Sequence, residues 1–226
     1  MNPKKIKSLI RRARRFLTWR VTDQLHASGN MEIVSDPWER THTIYTPADP
    51  SPDNPLRDIE YLHELAHATL CERVHHVFST HYFEPGTPED TLRLLTPVCR
   101  VASDWFADAW LMSVCPSEER SEIMEHFGII RALLEQEQAL NPEMLYGAAL
   151  IIAQAVKYCG LKARAYQSGG VLVQAIGALL SVDPAKPSVQ NLETLINKLS
   201  ACLYPIRVKF SVETGTISLI TSAVNS

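Results

Sequence analysis

The sequence lacks any apolar run long enough to cross a lipid bilayer, which takes about 20 consecutive apolar residues in a helix. Its basic first 20 residues are not followed by the apolar stretch and small-residue cleavage site of a secretory signal. The five cysteines are an odd number and include no CxxC pair, which argues against a disulfide framework or a structural zinc knuckle. We therefore expect a cytoplasmic protein that does not act in a membrane.

The chain after residue 20 has few basic residues for its number of acids, because basic charge is concentrated at the start. The first 20 residues carry eight of the 22 lysines and arginines and no acid, which leaves 14 basic residues against 25 acidic ones. The apolar residues of this segment recur at helical spacing: Ile6, Leu9, Ile10, Ala13, Phe16 and Leu17. They predict an amphipathic helix with the arginines on its other face. That face is a solvated surface, or a docking site for nucleic acid or an acidic partner protein, and binding to a membrane surface is the third and least favoured alternative.

The elements after this helix are predicted from turn and capping signals. Residues 31–48 carry β-branched and aromatic residues around a proline-containing turn and predict two short strands. Asn54 and Pro55 form a helix start, and the helix is expected to run from Pro55 to about Val74. Thr87 is predicted to cap the following helix, which Pro97 is expected to kink or divide.

The rest of the chain continues the helical pattern. Helices are predicted over 118–138, 142–160, 171–182 and 188–202, and residues 206–220 are predicted to form a β-hairpin around Thr214-Gly215. With 226 residues, of which 46% are hydrophobic, the chain is long enough to bury a core unaided. We expect an α+β fold that is mainly helical, in three segments at 1–30 (basic helix and linker), 31–116 (a core of short strands and helices) and 117–226 (helical region ending in a hairpin).

The segment YLHELAHATLCERVHH, residues 61 to 76, contains a His-Glu-x-x-His pattern at His63, Glu64 and His67. Residues four apart lie on one face of a helix, so the two imidazoles can ligate the same zinc ion. Glu64 is displaced around the helix and is placed to act as the general base on a zinc-bound water. The alternative interpretation is a surface helix with incidental histidines. His75 and His76 lie more than two turns past His67 and are not predicted as ligands.

A third protein ligand is expected from the downstream segment ASDWFADAWLM. Asp104 and Asp108 are four apart there among large apolar residues, a setting in which an acid needs a partner. We predict that Asp104 ligates zinc and that Asp108 orients a ligating histidine through its other ring nitrogen. The sequence also allows the exchanged assignment, in which Asp108 ligates zinc and Asp104 orients the histidine. The remaining alternative is that both are solvated acids at a helix edge.

Further residues are candidates for supporting roles. Cys71 is predicted to be a small buried cysteine, with competition for zinc as the alternative. Stabilisation of a tetrahedral oxyanion usually needs a tyrosine, histidine or arginine near the metal. The candidates in this chain are His81, Tyr82, Tyr146, Tyr158 and Tyr166.

HELAH followed by SDWFADAWLM resembles the ImmA/IrrE type of bacterial metallopeptidase, whose second helix has the pattern E-A-(N/D)-x-F-A-x-x-L-L-M. The matching residues are Asp104, Phe106, Ala107, Leu111 and Met112. The ligand glutamate of that family would fall at Ala102, so the resemblance implies that Asp104 substitutes for it. The resemblance covers about residues 31 to 113 and implies a zincin-like core over 31–116. LHELAHAT is also similar to the zincin domain of ArdC-type antirestriction proteins.

The predicted function is that of a zinc-dependent metallopeptidase that hydrolyses a peptide bond with a water activated by Glu64. The resemblance implies a regulatory enzyme that acts on a protein or peptide substrate. The alternative is a zincin-fold binding protein with weak catalysis, which docks nucleic acid or a protein partner through the basic N-terminal helix. Hydrolysis of a non-peptide amide or ester by the same site is a third interpretation.

Overall fold

The computed structural model describes residues 3–26, 31–48, 57–136, 140–162 and 170–220. These residues form an α+β structure that is mainly helical, as the sequence predicts. In chain order the described elements are α1 (Pro3–Phe16), β1 (Arg20–His26), β2 (Glu32–Asp36), β3 (Thr41–Pro47), α2 (Arg57–Arg73), a 3-10 turn (His76–Phe78), β4 (Tyr82–Phe83), α3 (Glu89–Val114), α4 (Pro116–Glu135), α5 (Pro142–Cys159), α6 (Val171–Leu180), α7 (Val189–Leu203), β5 (Arg207–Phe210) and β6 (Thr216–Ile220). None of the described helices combines the length and apolarity needed to span a membrane.

The first three strands form one sheet in the order β1-β3-β2. β2 and β3 are antiparallel and confirm the two strands predicted in residues 31–48, whereas β1 was not predicted and pairs in parallel with β3. β1 has only two large apolar residues, Val21 and Leu25, and Leu25 is 73% exposed. Its extended conformation therefore depends on pairing with a strand 21 residues further along the chain, which no local pattern reveals.

The amphipathic N-terminal helix is confirmed as α1, which packs against α2. Ile6 and Ala13 are buried on its apolar face. Arg11, Arg12 and Arg15 are exposed on its other face. The docking of nucleic acid or an acidic partner on that cationic face stays a prediction.

Two details of the predicted helices are wrong, and a third lies outside the described residues. The start of α2 at Asn54 and Pro55 lies outside the described residues, and α2 ends at Arg73. Thr87 does not cap α3: Pro88 occupies the capping position, and the Thr87 hydroxyl donates to the carbonyl of Glu84 instead. Pro97 does not divide α3, because apolar residues before and after it are buried in the same core and hold the helix together across the missing hydrogen bond.

The later helices follow their sequence signals closely. Asn141 accepts a hydrogen bond from the Met144 N–H and begins α5, while Gly160, at φ +74°, ends it. Ser188 caps α7 in the same way by accepting from the Asn191 N–H. Asn and Ser are favoured at these positions because their side chains satisfy free N–H groups of the first turn.

The predicted C-terminal hairpin is confirmed, with β5 antiparallel to β6. Gly215 takes φ +63° in its turn, and a Cβ atom there would collide with the imidazole of His76. β4, which was not predicted within the loop 79–88, adds to the hairpin as a parallel neighbour of β6. The hairpin therefore packs over the segment that follows α2.

One apolar core extends across the predicted segment boundary at residue 116. Trp105 and Phe106 of α3 pack in the same cluster as Tyr146 of α5 and Leu195 of α7. A smaller cluster joins α1 to the sheet, α2 and the end of α3. The proposed linker lies partly outside the described residues, and the division into three segments stays a prediction.

Candidate metal centre

The structure brings together the three predicted metal ligands. His63 and His67 lie one turn apart on α2, with their Nε2 atoms 3.0 Å from each other. Asp104 Oδ1 of α3 lies 3.2 Å from His67 Nε2 and 3.6 Å from His63 Nε2. Around a tetrahedral zinc ion with bonds of about 2.1 Å, ligand atoms are separated by roughly 3.4 Å. The triangle of ligand atoms thus has the size that zinc requires.

Hydrogen bonds on the far side of each ring direct the Nε2 atoms toward this point. His67 Nδ1 lies 2.6 Å from the carbonyl oxygen of Phe78, which can only accept a proton, so Nδ1 is the donor. His63 Nδ1 lies 2.8 Å from Asp108 Oδ1. When each ring is neutral and carries its proton on Nδ1, its Nε2 atom has a lone pair that points toward the Asp104 carboxylate. Either a proton on His63 or a metal ion can occupy the point that these three atoms face.

Asp108 occupies the place predicted for a carboxylate that orients a ligating histidine. Besides its contact with His63, its other oxygen accepts a hydrogen bond from the Gln154 side chain of α5. Asp108 is buried. The alternative of two solvated acids at a helix edge is therefore wrong for Asp108, and a buried acid between two donors fixes the ring it contacts.

The pKa values of His63 and Asp104 are shifted in opposite directions by their mutual contact. Burial alone would lower the pKa of His63, but the charges of Asp108 and Asp104 outweigh it and raise that pKa well above its usual value. Burial alone would raise the pKa of Asp104, but hydrogen bonds with His63 and His67 lower it far below the usual range. The Asp104 carboxylate is therefore anionic at neutral pH, as a metal ligand must be.

Glu64 lies beside the ligands without belonging to their triangle. It is buried, and this burial raises its pKa, an effect that the neighbouring His63 and His67 partly oppose. The backbone N–H of Ile33 in β2 donates a hydrogen bond to its carboxylate. A carboxylate that is held in place and more basic than usual is suited to accept a proton from water.

Two cavities meet at this centre, and His63, Glu64 and Asp104 line both of them. The larger has a volume of about 680 Å³ and extends along β2 toward His81 and Arg100. The smaller, of about 290 Å³, lies toward α4 and α5. Reactive groups at the junction of two cavities are accessible to a substrate that extends into both.

Comparisons with protein-family models, curated proteins and solved structures find no match to this chain. Interpretation of the centre therefore depends on its own geometry and on the resemblance of its sequence motifs.

Of the four candidates for oxyanion stabilisation that the structure describes, His81 is the one that lines a cavity at the centre. Burial lowers the pKa of His81 to about 4, and its Nε2 lies 3.0 Å from Ser103 Oγ. The hydroxyls of Tyr82 and Tyr146 donate to backbone carbonyls at Ser35 and Leu199. Tyr158 lines neither cavity, and Tyr166 lies outside the described residues.

The residues predicted not to bind metal are placed elsewhere. Among the described residues, the one group of three whose ligand atoms lie within 4.8 Å of one another is His63, His67 and Asp104. Cys71 is buried, and burial raises its pKa, which confirms the prediction of a small buried cysteine. The His75 imidazole faces the carbonyl of Val212 near the C-terminal hairpin, and His76 packs beside it.

Several residues at the centre were missed in the sequence. The Phe78 carbonyl and the Gln154 side chain carry no sequence signal for their roles. Glu119 does carry one: it stands four residues before Ile123 and eight before Phe127, in the buried stripe of α4. An acid in an apolar stripe needs an explanation for the same reason that Asp108 does.

Proposed function

We propose that this protein is a zinc-dependent metallopeptidase with a zincin-like core, in which His63, His67 and Asp104 hold the zinc ion. The observation that supports this most strongly is the triangle of two lone-pair nitrogens and one carboxylate oxygen, with sides of 3.0, 3.2 and 3.6 Å. Three protein ligands leave a fourth tetrahedral position for water or substrate, as catalytic zinc sites require.

Each neighbouring residue has a part in the proposed reaction. A zinc ion at this centre supplies a Lewis acid that makes water more acidic and polarises a carbonyl group. Glu64 removes the proton from the attacking water and delivers it to the departing amine. Asp108 and the Phe78 carbonyl keep the two imidazoles in the ligating tautomer and orientation.

The shape of the larger cavity favours a peptide as substrate. β2 is an edge strand of its sheet, and Glu32, Ile33 and Val34 form one wall of the cavity. The outward N–H groups of Ile33 and Ser35 are already engaged, by Glu64 and Thr80. An extended peptide would therefore lie along this wall, with its side chains in pockets, rather than continue the sheet. A cavity of about 680 Å³ is also within the range of ligand pockets. The resemblance to ImmA/IrrE metallopeptidases favours a regulatory role on a protein substrate.

The test combines metal content with cleavage of a proteome-derived peptide library. We expect one zinc per chain in the wild type by elemental analysis and a loss of zinc in His63→Ala and His67→Ala. Glu64→Gln should retain zinc and reduce cleavage by about 10²- to 10⁴-fold, because it removes the general base. His75→Ala is the matched control and should retain both properties. A Glu64→Gln protein that cleaves the library as fast as the wild type would contradict the proposal.

A further inference from the structure

The smaller cavity beside the metal centre is acidic on the side that faces α4. Its wall includes Glu60, Asp108, Glu119 and Glu122, and neither lysine nor arginine is among the described residues that line it. The cavity shares His63, Glu64 and Asp104 with the larger one. A group that enters it therefore lies next to the bond that the centre would cleave.

Two of these acids, the buried Glu119 and the partly buried Glu122, lack hydrogen-bond partners among the described residues. Glu119 is 5% exposed, and its carboxyl group makes no hydrogen bond or ion pair with a described residue. Glu122 Oε2 is buried and has no hydrogen-bond partner among the described residues. Burial and the charge of Asp108 raise the pKa of both groups, that of Glu122 to about 7. Unpaired carboxyl groups with raised pKa values are largely neutral at neutral pH, and a bound cation would restore their charge.

The geometry favours an organic cation over a second metal ion. Asp108 already contacts His63 and Gln154, which leaves Glu119 and Glu122 as the free acceptors. The carboxylate oxygens of Glu119, Glu122 and Asp108 do not all lie within 4.8 Å of one another. The ligand atoms of His63, His67 and Asp104 do. Separated acceptors suit the several N–H donors of a guanidinium or ammonium group. A volume of about 290 Å³ is small for a whole ligand and suits one long side chain.

We propose that this cavity is a specificity pocket for a lysine or arginine side chain of the peptide substrate, next to the scissile bond. The inference rests on the proposed peptidase function, because the cavity meets the larger one at the zinc ligands. Glu119 and Glu122 accept the hydrogen bonds of the cationic group, and the apolar residues Ile59, Leu111 and Ile123 contact its aliphatic part.

The test measures peptide binding separately from cleavage. Zinc-loaded Glu64→Gln protein is titrated with two blocked hexapeptide pools, which carry either arginine or its neutral isostere citrulline at one fixed central position. We expect about tenfold tighter binding of the arginine pool, the effect of charge-assisted hydrogen bonds. In the background of Glu119→Gln combined with Glu122→Gln, the two pools should bind within about twofold of each other. Glu125→Gln, on the exposed side of the same helix, is the matched control and should keep the tenfold difference.

Cleavage of the proteome-derived library by the wild-type protein separates the two proposals. Cleavage with no enrichment of basic residues beside the cut, together with equal binding of the two pools, overturns the pocket and leaves the peptidase function intact. Preferential binding of the arginine pool with no cleavage of any peptide supports the pocket and contradicts the peptidase. Thermal melting of the double variant checks its folding, which should be preserved because glutamine has the shape of glutamate and neither acid has a hydrogen-bond partner among the described residues.

Discussion

At the scale of single residues, the two imidazoles of the metal centre are positioned by different kinds of partner. His67 donates to a backbone carbonyl, whereas His63 contacts the carboxylate of Asp108. A carboxylate partner both orients the ring and makes its other nitrogen a stronger donor to a metal. If the centre holds zinc as proposed, its affinity should therefore depend on a residue that is not itself a ligand.

Substituting Asp108 by asparagine should weaken zinc binding without abolishing it. We expect Asp108→Asn to lower the affinity by about 10- to 100-fold, the usual effect of removing such a partner. Asp104→Asn should have the larger effect, since it removes a charged ligand. Competition with a zinc-binding dye measures both, and Asp90→Asn, an exposed acid at the start of the same helix, is the control. Zinc lost by Asp108→Asn but retained by Asp104→Asn would show that the two roles are exchanged.

At the scale of elements, the last turn of α2 is tied to two other segments through Glu72. Its carboxylate accepts hydrogen bonds from the backbone N–H groups of Thr18 and Trp19, and it lies 3.1 Å from His42 Nε2 of β3. Trp19 stacks on His42, with ring centroids 5.0 Å apart. These contacts fix the sheet relative to α2, and β2 of the same sheet supplies the Ile33 N–H to Glu64.

Removal of the Glu72 carboxylate should destabilise the fold in a pH-dependent way. Burial raises the pKa of Glu72, but the hydrogen bonds from Thr18, Trp19 and His42 outweigh this and lower it below the usual value. Its stabilising contribution is therefore present at neutral pH and lost as the pH falls through the folded-state pKa. We expect Glu72→Ala to reduce the free energy of unfolding by about 1 to 2 kcal/mol at neutral pH, because the exposed Thr18, the partly buried Trp19 and the buried His42 lose a charged partner.

Urea unfolding of the wild type and Glu72→Ala across a pH series measures this difference. The two proteins should converge in stability in acid, at pH values below the ordinary pKa of glutamate. Glu39→Ala, which removes an exposed glutamate, should change the stability little at any pH. A difference between wild type and Glu72→Ala that does not depend on pH would mean that the lost charge is not the cause.

At the scale of the whole molecule, the N-terminal helix is part of the folded body. Ile6 is fully buried, and Lys5 forms an ion pair with Glu118 of α4 at 2.8 Å. Ala13 belongs to the cluster that also contains Leu62 and Leu65 of the helix that carries the metal ligands. A change in the packing of α1 should therefore affect the stability of the entire protein.

Replacing Ile6 by alanine tests whether the first segment is a detachable appendage. We expect a loss of about 2 to 4 kcal/mol in the free energy of unfolding, because the change leaves a cavity in a fully buried site. Phe16→Ala on the same helix should cost less than about 1 kcal/mol, since Phe16 is 58% exposed. Equal effects of the two substitutions in denaturant unfolding would indicate that α1 does not share the core.

Much of the helical architecture could be predicted because its signals are local. The helices predicted over 142–160 and 188–202 are present as α5 and α7, and their caps, Asn141 and Ser188, each join residues only three apart. Thr87 was a wrongly predicted cap, because its hydroxyl is engaged by Glu84 and Pro88 takes the capping position. β1 and β4 were missed because their partners lie far along the chain, and Pro97 is tolerated because tertiary packing outweighs its local effect.

For the candidate site, the sequence by itself determined that His63 and His67 share one face of a helix, as do Asp104 and Asp108 of the next long helix. That follows from the fixed 3.6-residue period of the backbone. Only the tertiary structure decided which aspartate meets both imidazoles and which contacts one of them from behind. His67 and Asp104 are 37 residues apart, and Asp108 and Gln154 are 46 apart. Contacts over such separations depend on how whole helices pack, and no local period encodes that packing.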